Sequence, residues 1–348
     1  MSDASLPVPA GIDAASVTEW LCTADPAAQA PLNFELIAGG HSNLTFRVTS
    51  ANDRRYALRR PPLGHVLATA HDMGREHRIL AALQSTEVPV PRLVGLCDDV
   101  SVNDAPFYVM HFVEGVVIRD HRSSAAIEPA LRADITDSLV DTLVKIHEVD
   151  VDAVGLGELG RKDGYVARQL KRWRTQWHAS KTRELASIDE VHDILIDRIP
   201  FQQGSGIVHG DYRLDNCIYT ADGQVAAVID WELCTLGDVL ADLAQLLVYW
   251  SEPTDAEHAL DSPPTAEPGY GTRDAIIARY ASKSLRDLSE LDFYLAFTNW
   301  KVACILEGVY SRYLHGAMGD KGKGLDVHSF KRRVELLAER AAAIATHL

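Results

Sequence analysis

The hydrophobic rhythm of this chain changes once, near residue 125, and that change calls for two differently built parts. Before it, short β-branched and aromatic stretches of strand length are separated by turn residues. They predict strands at Asn33–Ala38, Leu44–Thr49 and 54–60, the last following an Asn52-Asp53 turn. A helix over 70–84 follows, with Met73, His77, Leu80 and Leu83 near helical spacing, and Pro89 and Pro91 end it. Strands at 92–97 and 106–113 flank a polar turn at 98–104. A short amphipathic helix over 13–24, with Val17, Trp20 and Leu21 on one face, precedes all of this.

Beyond residue 125 the period is helical, over 127–147, 161–180, 184–198, 238–250, 270–283, 287–315 and 325–347. Only short strands interrupt, at 207–209, Cys217–Tyr219 and 225–230, the last two joined by an Asp222-Gly223 turn. The stretch 251–269 holds five prolines and glycines and no Lys or Arg, which predicts a mobile loop. A chain of 348 residues exceeds the roughly 250–300 at which one core stops growing. The expectation is an α+β protein with a small β-rich lobe at 1–112, carrying the extra N-terminal helix, and a larger, mainly helical lobe at 113–348.

Charge and cysteines narrow the function. With 34 Lys and Arg against 49 Asp and Glu, the net charge is −15, which argues against a nucleic-acid partner because phosphate backbones select basic surfaces. Five scattered cysteines without a C-x-x-C pair suggest reduced thiols. No leader is visible and no apolar run approaches the ~18 residues that span a bilayer, so a cytoplasmic setting is expected, with no membrane partner.

The chemistry concentrates in Ile207-Val208-His209-Gly210-Asp211-Tyr212-Arg213-Leu214-Asp215-Asn216, followed by Val228-Ile229-Asp230-Trp231-Glu232. Phosphoryl transfer from ATP needs a carboxylate that orients the acceptor and oxygen ligands for Mg²⁺. Asp211 and Asn216 stand five apart on one loop, and Asp230 returns fourteen residues later across a hairpin. This is the H-x-D-x-x-x-x-N arrangement of protein-kinase catalytic loops followed by a metal-binding Asp. Asp211 is therefore the candidate catalytic base, with Asn216 and Asp230 as candidate Mg²⁺ ligands.

The small lobe supplies a candidate ATP clamp. Tyr56-Ala57-Leu58-Arg59 stands where kinases carry V-A-I-K, with an arginine replacing the usual lysine. Arg59 would reach the phosphates and Glu76 would aim it; a plain surface Arg–Glu pair is the competing account, with Arg60 also available. Gly39-Gly40-His41-Ser42-Asn43 lies between the first two strands, where Gly39 and Gly40 could free backbone N–H groups for phosphate, helped by Ser42 and Asn43. It is equally readable as a hairpin. The backbone around Met110, His111 and Val113 would hydrogen-bond the adenine edge.

These residues resemble the aminoglycoside phosphotransferase superfamily of kinase-like enzymes, over about 35–313. The motifs Gly-Gly-His-Ser-Asn-Leu-Thr, Leu58-Arg59-Arg60-Pro61-Pro62, Val88-Pro89-Val90-Pro91, His209-Gly210-Asp211-Tyr212-Arg213, Ile229-Asp230-Trp231-Glu232 and Gly237-Asp238 with Asp242-Leu243-Ala244 look most like one branch. That branch comprises the kinase-like domains joined to, or beside, acyl-CoA dehydrogenases. The resemblance implies a bilobal protein-kinase-like fold, the same roles for Asp211, Asn216, Asp230, Arg59 and Glu76, and Asp238 and Asp242 as braces of the catalytic loop.

The acceptor stays open between two classes. Glu252, Asp255, Glu257, Asp261 and Glu267 would suit a cationic aminoglycoside. Val248, Tyr249, Trp250, Phe293, Phe297 and Trp300 would suit a hydroxyacyl-type metabolite if they line a cleft, or be ordinary core. Trp300, Glu307 and Tyr310 on the long helix are further candidates for its wall. A nucleotide-binding regulatory module without turnover is the alternative, supported by the missing lysine alone.

Overall fold

A computed structural model describes residues 7–38, 43–64, 72–316 and 326–348. The α+β architecture is as expected, with a small antiparallel sheet early in the chain and helices dominating the remainder. The chain divides into two compact units, Met1–Gly115 with Ala226–Glu232, and Val116–Val225 with Leu233–Leu348.

The first unit contains α1 (Ala14–Ala24), β1 (Asn33–Ala38), β2 (Leu44–Thr49), β3 (Arg55–Arg60), α2 (Met73–Leu83), β4 (Leu93–Cys97), α3 (Val100–Asn103) and β5 (Phe107–His111). Its five strands are antiparallel in the order β1-β2-β3-β5-β4. The register sets Phe46 opposite Leu58 and Val48 opposite Tyr56, all fully buried. Such cross-strand pairs of large apolar side chains are what hold a sheet in one register. Val17 and Leu21 of α1 close this core, and Trp20 meets Phe107 edge-on at 4.9 Å.

The face that α2 buries differs from the expected one. Met73, Glu76, Ile79, Leu80 and Leu83 are buried, whereas His77 is only half-buried. A carboxylate thus sits where an apolar stripe would be read, and its burial needs partners. The polar turn at 98–104 contains α3, whose N-terminus Asp99 caps by accepting from Ser101 N at 2.9 Å. Ala226–Glu232 is fastened to this unit by Val228 N, which donates to Pro89 O at 2.8 Å.

The second unit contains α4 (His121–Ala125), α5 (Pro129–His147), α6 (Tyr165–Ser180), α7 (Ala186–Asp197), β6 (Gly206–Val208), β7 (Cys217–Tyr219), the start of β8 (Val225–Val228), β9 (Thr235–Gly237), α8 (Leu240–Tyr249), α9 (Arg273–Lys283), α10 (Leu291–Leu314) and α11 (Val327–Ala345). β6 and β9 pair antiparallel, Ile207 opposite Leu236. α10 is buried along most of its length, as a helix flanked on several sides must be. Trp300, Glu307 and Tyr310 are among its buried residues, as are Phe293 and Phe297, so these positions belong to the core and do not wall a cleft. No helix among the described residues is long and apolar enough to cross a membrane.

The stretch 251–269 is tied down, contrary to the mobile loop expected. Ser251 N donates to Thr265 Oγ1 at 2.8 Å, a 3₁₀ turn forms at Pro264–Ala266, and Ala259 is buried. Arginines from α5, α9 and α11 complete the anchoring, as described below.

Candidate active site

The loop after β6 is braced at several points. Asp242, buried at 1% exposure on α8, accepts from His209 N through Oδ2 and from Gly210 N through Oδ1 at 3.0 Å. Burial raises its carboxyl, yet His147, His209 and the Gly210 N–H outweigh that and hold it below the usual carboxylate range. Gly210 turns the chain at φ +88, and a Cβ there would come within 2.9 Å of Leu233 O. Only glycine fits both demands. Tyr212, fully buried, donates from its hydroxyl to Leu139 O at 2.8 Å. Asp242 thus braces the loop as expected, but Asp238 does something else. It accepts from Leu240 N at 3.3 Å at the start of α8 and from the Tyr294 hydroxyl at 2.7 Å.

On this fixed backbone the Asp211 side chain stays 26% exposed. Its Oδ2 accepts from Asn216 Nδ2 at 3.1 Å and pairs with Arg213 Nε at 3.3 Å. Asn216 Nδ2 also donates to Asp211 O at 2.7 Å, which turns the amide oxygen of Asn216 the other way. Arg213 reaches Asp215 at 3.0 Å and lies over the Tyr249 ring at 5.5 Å. Burial pushes Asp215 up to about 6, with Arg213 pulling it down. Arg119, Arg213, Asp215, Leu246, Tyr249 and Leu260 line a small recess beside this loop.

The first unit carries a separate polar cluster around Arg59, which is 8% exposed. Its guanidinium pairs with Glu76 at 3.0 Å, with Asp230, and with Glu232 at 3.8 Å. Glu76 also accepts from Asn43 Nδ2 at 2.6 Å and from the Tyr108 hydroxyl at 2.9 Å. Burial pushes the Glu76 carboxyl up to about 7, against the pull of Arg59 and Tyr108. Asp230 adopts φ +65, a left-handed conformation that a short polar residue tolerates and that often marks functional sites.

Asn43, Arg59, Glu76 and Asp230 therefore meet in one cluster, joined by Tyr108 and Glu232, which the sequence reading missed. Arg60 is not a rival to Arg59, because its guanidinium is tied to the carbonyls of Gly11 and Asn103. Gly39, Gly40 and Ser42 lie outside the described residues. At the end of β5, His111 N donates to Arg92 O at 2.8 Å, and just beyond it Phe112 N donates to Arg55 O at 3.0 Å. Those two N–H groups belong to the sheet, whereas Val113 follows it.

The sequence over residues 33–276 matches the phosphotransferase enzyme family. The chain belongs to that family. Over 348 aligned residues this phosphotransferase is 33% identical to acyl-CoA dehydrogenase family member 11 of Gallus gallus, covering 97% of the chain but 44% of that relative's length. The chain thus spans less than half of the curated relative it matches. A solved structure from Ralstonia eutropha, provisionally described as an aminoglycoside phosphotransferase, shares 31% identity at a TM-score of 0.81, with 96% of this chain and 98% of that one covered. An aminoglycoside phosphotransferase variant solved with ADP and hygromycin B shares the fold at 14% identity and a TM-score of 0.59, over 93% and 98% of the two chains. The family makes this chain a small-molecule phosphotransferase.

Each acid of 251–269 contacts a cation of the chain itself. Glu252 and Asp255 meet Arg273, Glu257 meets Arg332, Asp261 meets Arg333 at 3.2 Å, and Glu267 meets His121 at 2.5 Å and Arg132 at 3.7 Å.

Proposed function

We propose that this phosphotransferase moves the γ-phosphoryl group of ATP, taken as its Mg²⁺ complex, to a hydroxyl group of a small molecule. The observation that carries the reading is Asp211, a partly exposed carboxylate on an otherwise immobilised loop with nitrogen donors at its oxygens. Asp211 orients the acceptor hydroxyl and takes its proton as the new oxygen–phosphorus bond forms and ADP leaves. Rate enhancement then comes from positioning and charge neutralisation.

Asn216 and Asp230 are the proposed Mg²⁺ ligands. The Asn216 amide nitrogen is committed to Asp211, leaving its Oδ1 as an oxygen donor. Asp230 and Glu232 bring two carboxylates beside Arg59, oxygen donors of the kind a hard cation takes. Among the described residues no three His, Cys, Asp or Glu side chains form a cage. A Mg²⁺ that takes one or two protein oxygens, with phosphates and water supplying the rest, needs none. Bound there, it would neutralise charge on the β- and γ-phosphates. Arg59, aimed by Glu76 with Asn43, is assigned to the phosphates together with Gly39, Gly40 and Ser42, and the backbone at Met110 and Val113 to the adenine, the His111 N–H being taken by Arg92 O. A relative solved with ADP supports nucleotide use.

For the acceptor, the internally paired acids of 251–269 favour a molecule without many positive charges, so a hydroxyacyl-type metabolite is preferred over an aminoglycoside. The free, mostly buried thiols support a cytoplasmic setting. The engagement of Arg59 with Asp230 is the observation behind the alternative, a nucleotide-binding module without turnover. The deciding experiment compares wild type and Asp211→Asn for Mg·ATP binding by thermal shift and for acceptor-dependent ADP release. Loss of turnover with retained ATP binding is expected; near-normal turnover in the variant refutes the assignment.

A further inference from the structure

Lys301 sits midway along α10 and is 5% exposed, an uncommon place for an ammonium group. Packing alone would favour an apolar side chain there, since burial penalises the charge. Among the described residues one hydrogen bond engages it, from Nζ to Gln245 Oε1 at 2.6 Å, with the Phe297 ring centroid 6.0 Å away. Gln245, itself 3% exposed on α8, presents its Nε2 to Asp211 Oδ1 at 3.5 Å. The opposite carboxylate oxygen, Oδ2, faces Asn216 and Arg213.

The three groups differ in what they can exchange. An ammonium only donates, an ionised carboxylate only accepts, and an amide has one end of each kind. Gln245 can therefore bridge Lys301 and Asp211 in one orientation alone. Flipping its amide would set NH₂ against the ammonium and oxygen against the carboxylate, two like-facing contacts in a buried setting. Lys301 fixes the flip of Gln245, and Gln245 fixes which oxygen of Asp211 is held from the α8 side. The 3.5 Å contact is at the long limit of a hydrogen bond, a common state for catalytic contacts before the reacting complex forms.

We propose that Lys301, acting through Gln245, is a positioning residue that sets the rotation of the Asp211 carboxylate for phosphoryl transfer. The inference rests on Asp211 as the base and adds two residues that contribute through its geometry. Held on both oxygens, the carboxylate presents one lone-pair direction to the incoming hydroxyl. Freed on the Gln245 side, it can swing toward Arg213, and small misplacements of this sort cost up to about 100-fold in rate.

The test uses the full chain with Lys301→Met, Gln245→Met, the double variant and Asp211→Asn. ADP release from Mg·ATP, with water as acceptor, is measured beside a crystal structure of Lys301→Met. Each single variant is expected to lower kcat roughly 10- to 100-fold with KM for ATP unchanged. The double variant should be no worse than either single one, because both cut the same path. Lys301→Met strands the buried Gln245 Oε1 and should lower Tm, whereas the double variant, which removes both buried polar partners, should recover part of that loss while kcat stays low. A kcat within about twofold of wild type, multiplicative losses in the double variant, or an unmoved Asp211 carboxylate in the crystal overturns the proposal. If Asp211→Asn abolishes ADP release while Lys301→Met leaves it intact, this inference alone falls. If Asp211→Asn leaves the rate unchanged, the underlying reading of the base falls with it.

Discussion

Replacing Asp242 by asparagine keeps the shape of a buried side chain but removes its charge and reverses one of its hydrogen-bonding ends. Both carboxylate oxygens now accept a backbone N–H, Oδ2 from His209 and Oδ1 from Gly210. The asparagine amide can accept only one of them and turns an N–H toward the other donor. A buried N–H left without its acceptor costs about 1–3 kcal/mol. Losing the ionic character of the remaining bond adds about 1 kcal/mol, since charge-assisted bonds are roughly twice as strong as neutral ones. A total near 2–4 kcal/mol corresponds to a fall in Tm of about 5–15 °C for a unit of this size. Acid should narrow the gap. The Asp242 carboxyl is held below its ordinary range in the folded protein, so its stabilisation is complete above the unfolded value near 4 and fades as pH falls through the folded one. Thermal unfolding of wild type and Asp242→Asn at pH 7.5 and about 3.5 measures both effects. A Tm difference under about 2 °C at pH 7.5 would refute the argument that Asp242 is what holds the loop.

Two other perturbations probe separate parts of the molecule. Glu76, with a folded value near 7 against an ordinary 4.5, binds a proton in the folded state that the unfolded chain has released, so stability should fall as pH rises from about 4.5 to 7. Glu76→Gln should flatten that fall, on the order of 2 kcal/mol, in urea unfolding at pH 5, 6 and 7.5; an unchanged slope counts against a raised Glu76. Gly210→Ala meets both the positive φ and the Leu233 carbonyl, and should lower stability by about 1–3 kcal/mol with a marked loss of turnover. A Tm equal to wild type would show that the loop can relax.

Much of the fold was legible because it is local. The alternation in Leu44–Thr49 buries Phe46 and Val48, and the motif spacing marks Asp211, Asn216 and Asp230 as candidates. What escaped depends on partners distant in sequence. β9 is three residues long and exists through pairing with β6, so no period announces it. The tethering of 251–269 comes from Arg132, Arg273, Arg332 and Arg333, none of which lies within that stretch. Lys301 carries no signal in the sequence, and only the packing around it shows a buried ammonium. Asp238 was placed as a loop brace by analogy, whereas its neighbours Leu240 and Tyr294 assign it to the start of α8.

The first unit is not contiguous, because it needs Ala226–Glu232 to be whole. Asp230 and Glu232, two of the three acids around Arg59, are among those late residues. During synthesis the ribosome therefore delivers the sheet, Arg59 and Glu76 long before their remaining partners. At roughly 5–20 residues per second, more than a hundred intervening residues impose a wait on the order of ten seconds. Through that interval Arg59 has Glu76 as its carboxylate partner, and Asp230 and Glu232 join it only when the polypeptide returns. A fragment ending at Gly115 would be arrested at the same stage, with the Arg59–Glu76 pair in place and the Asp230 carboxylate missing.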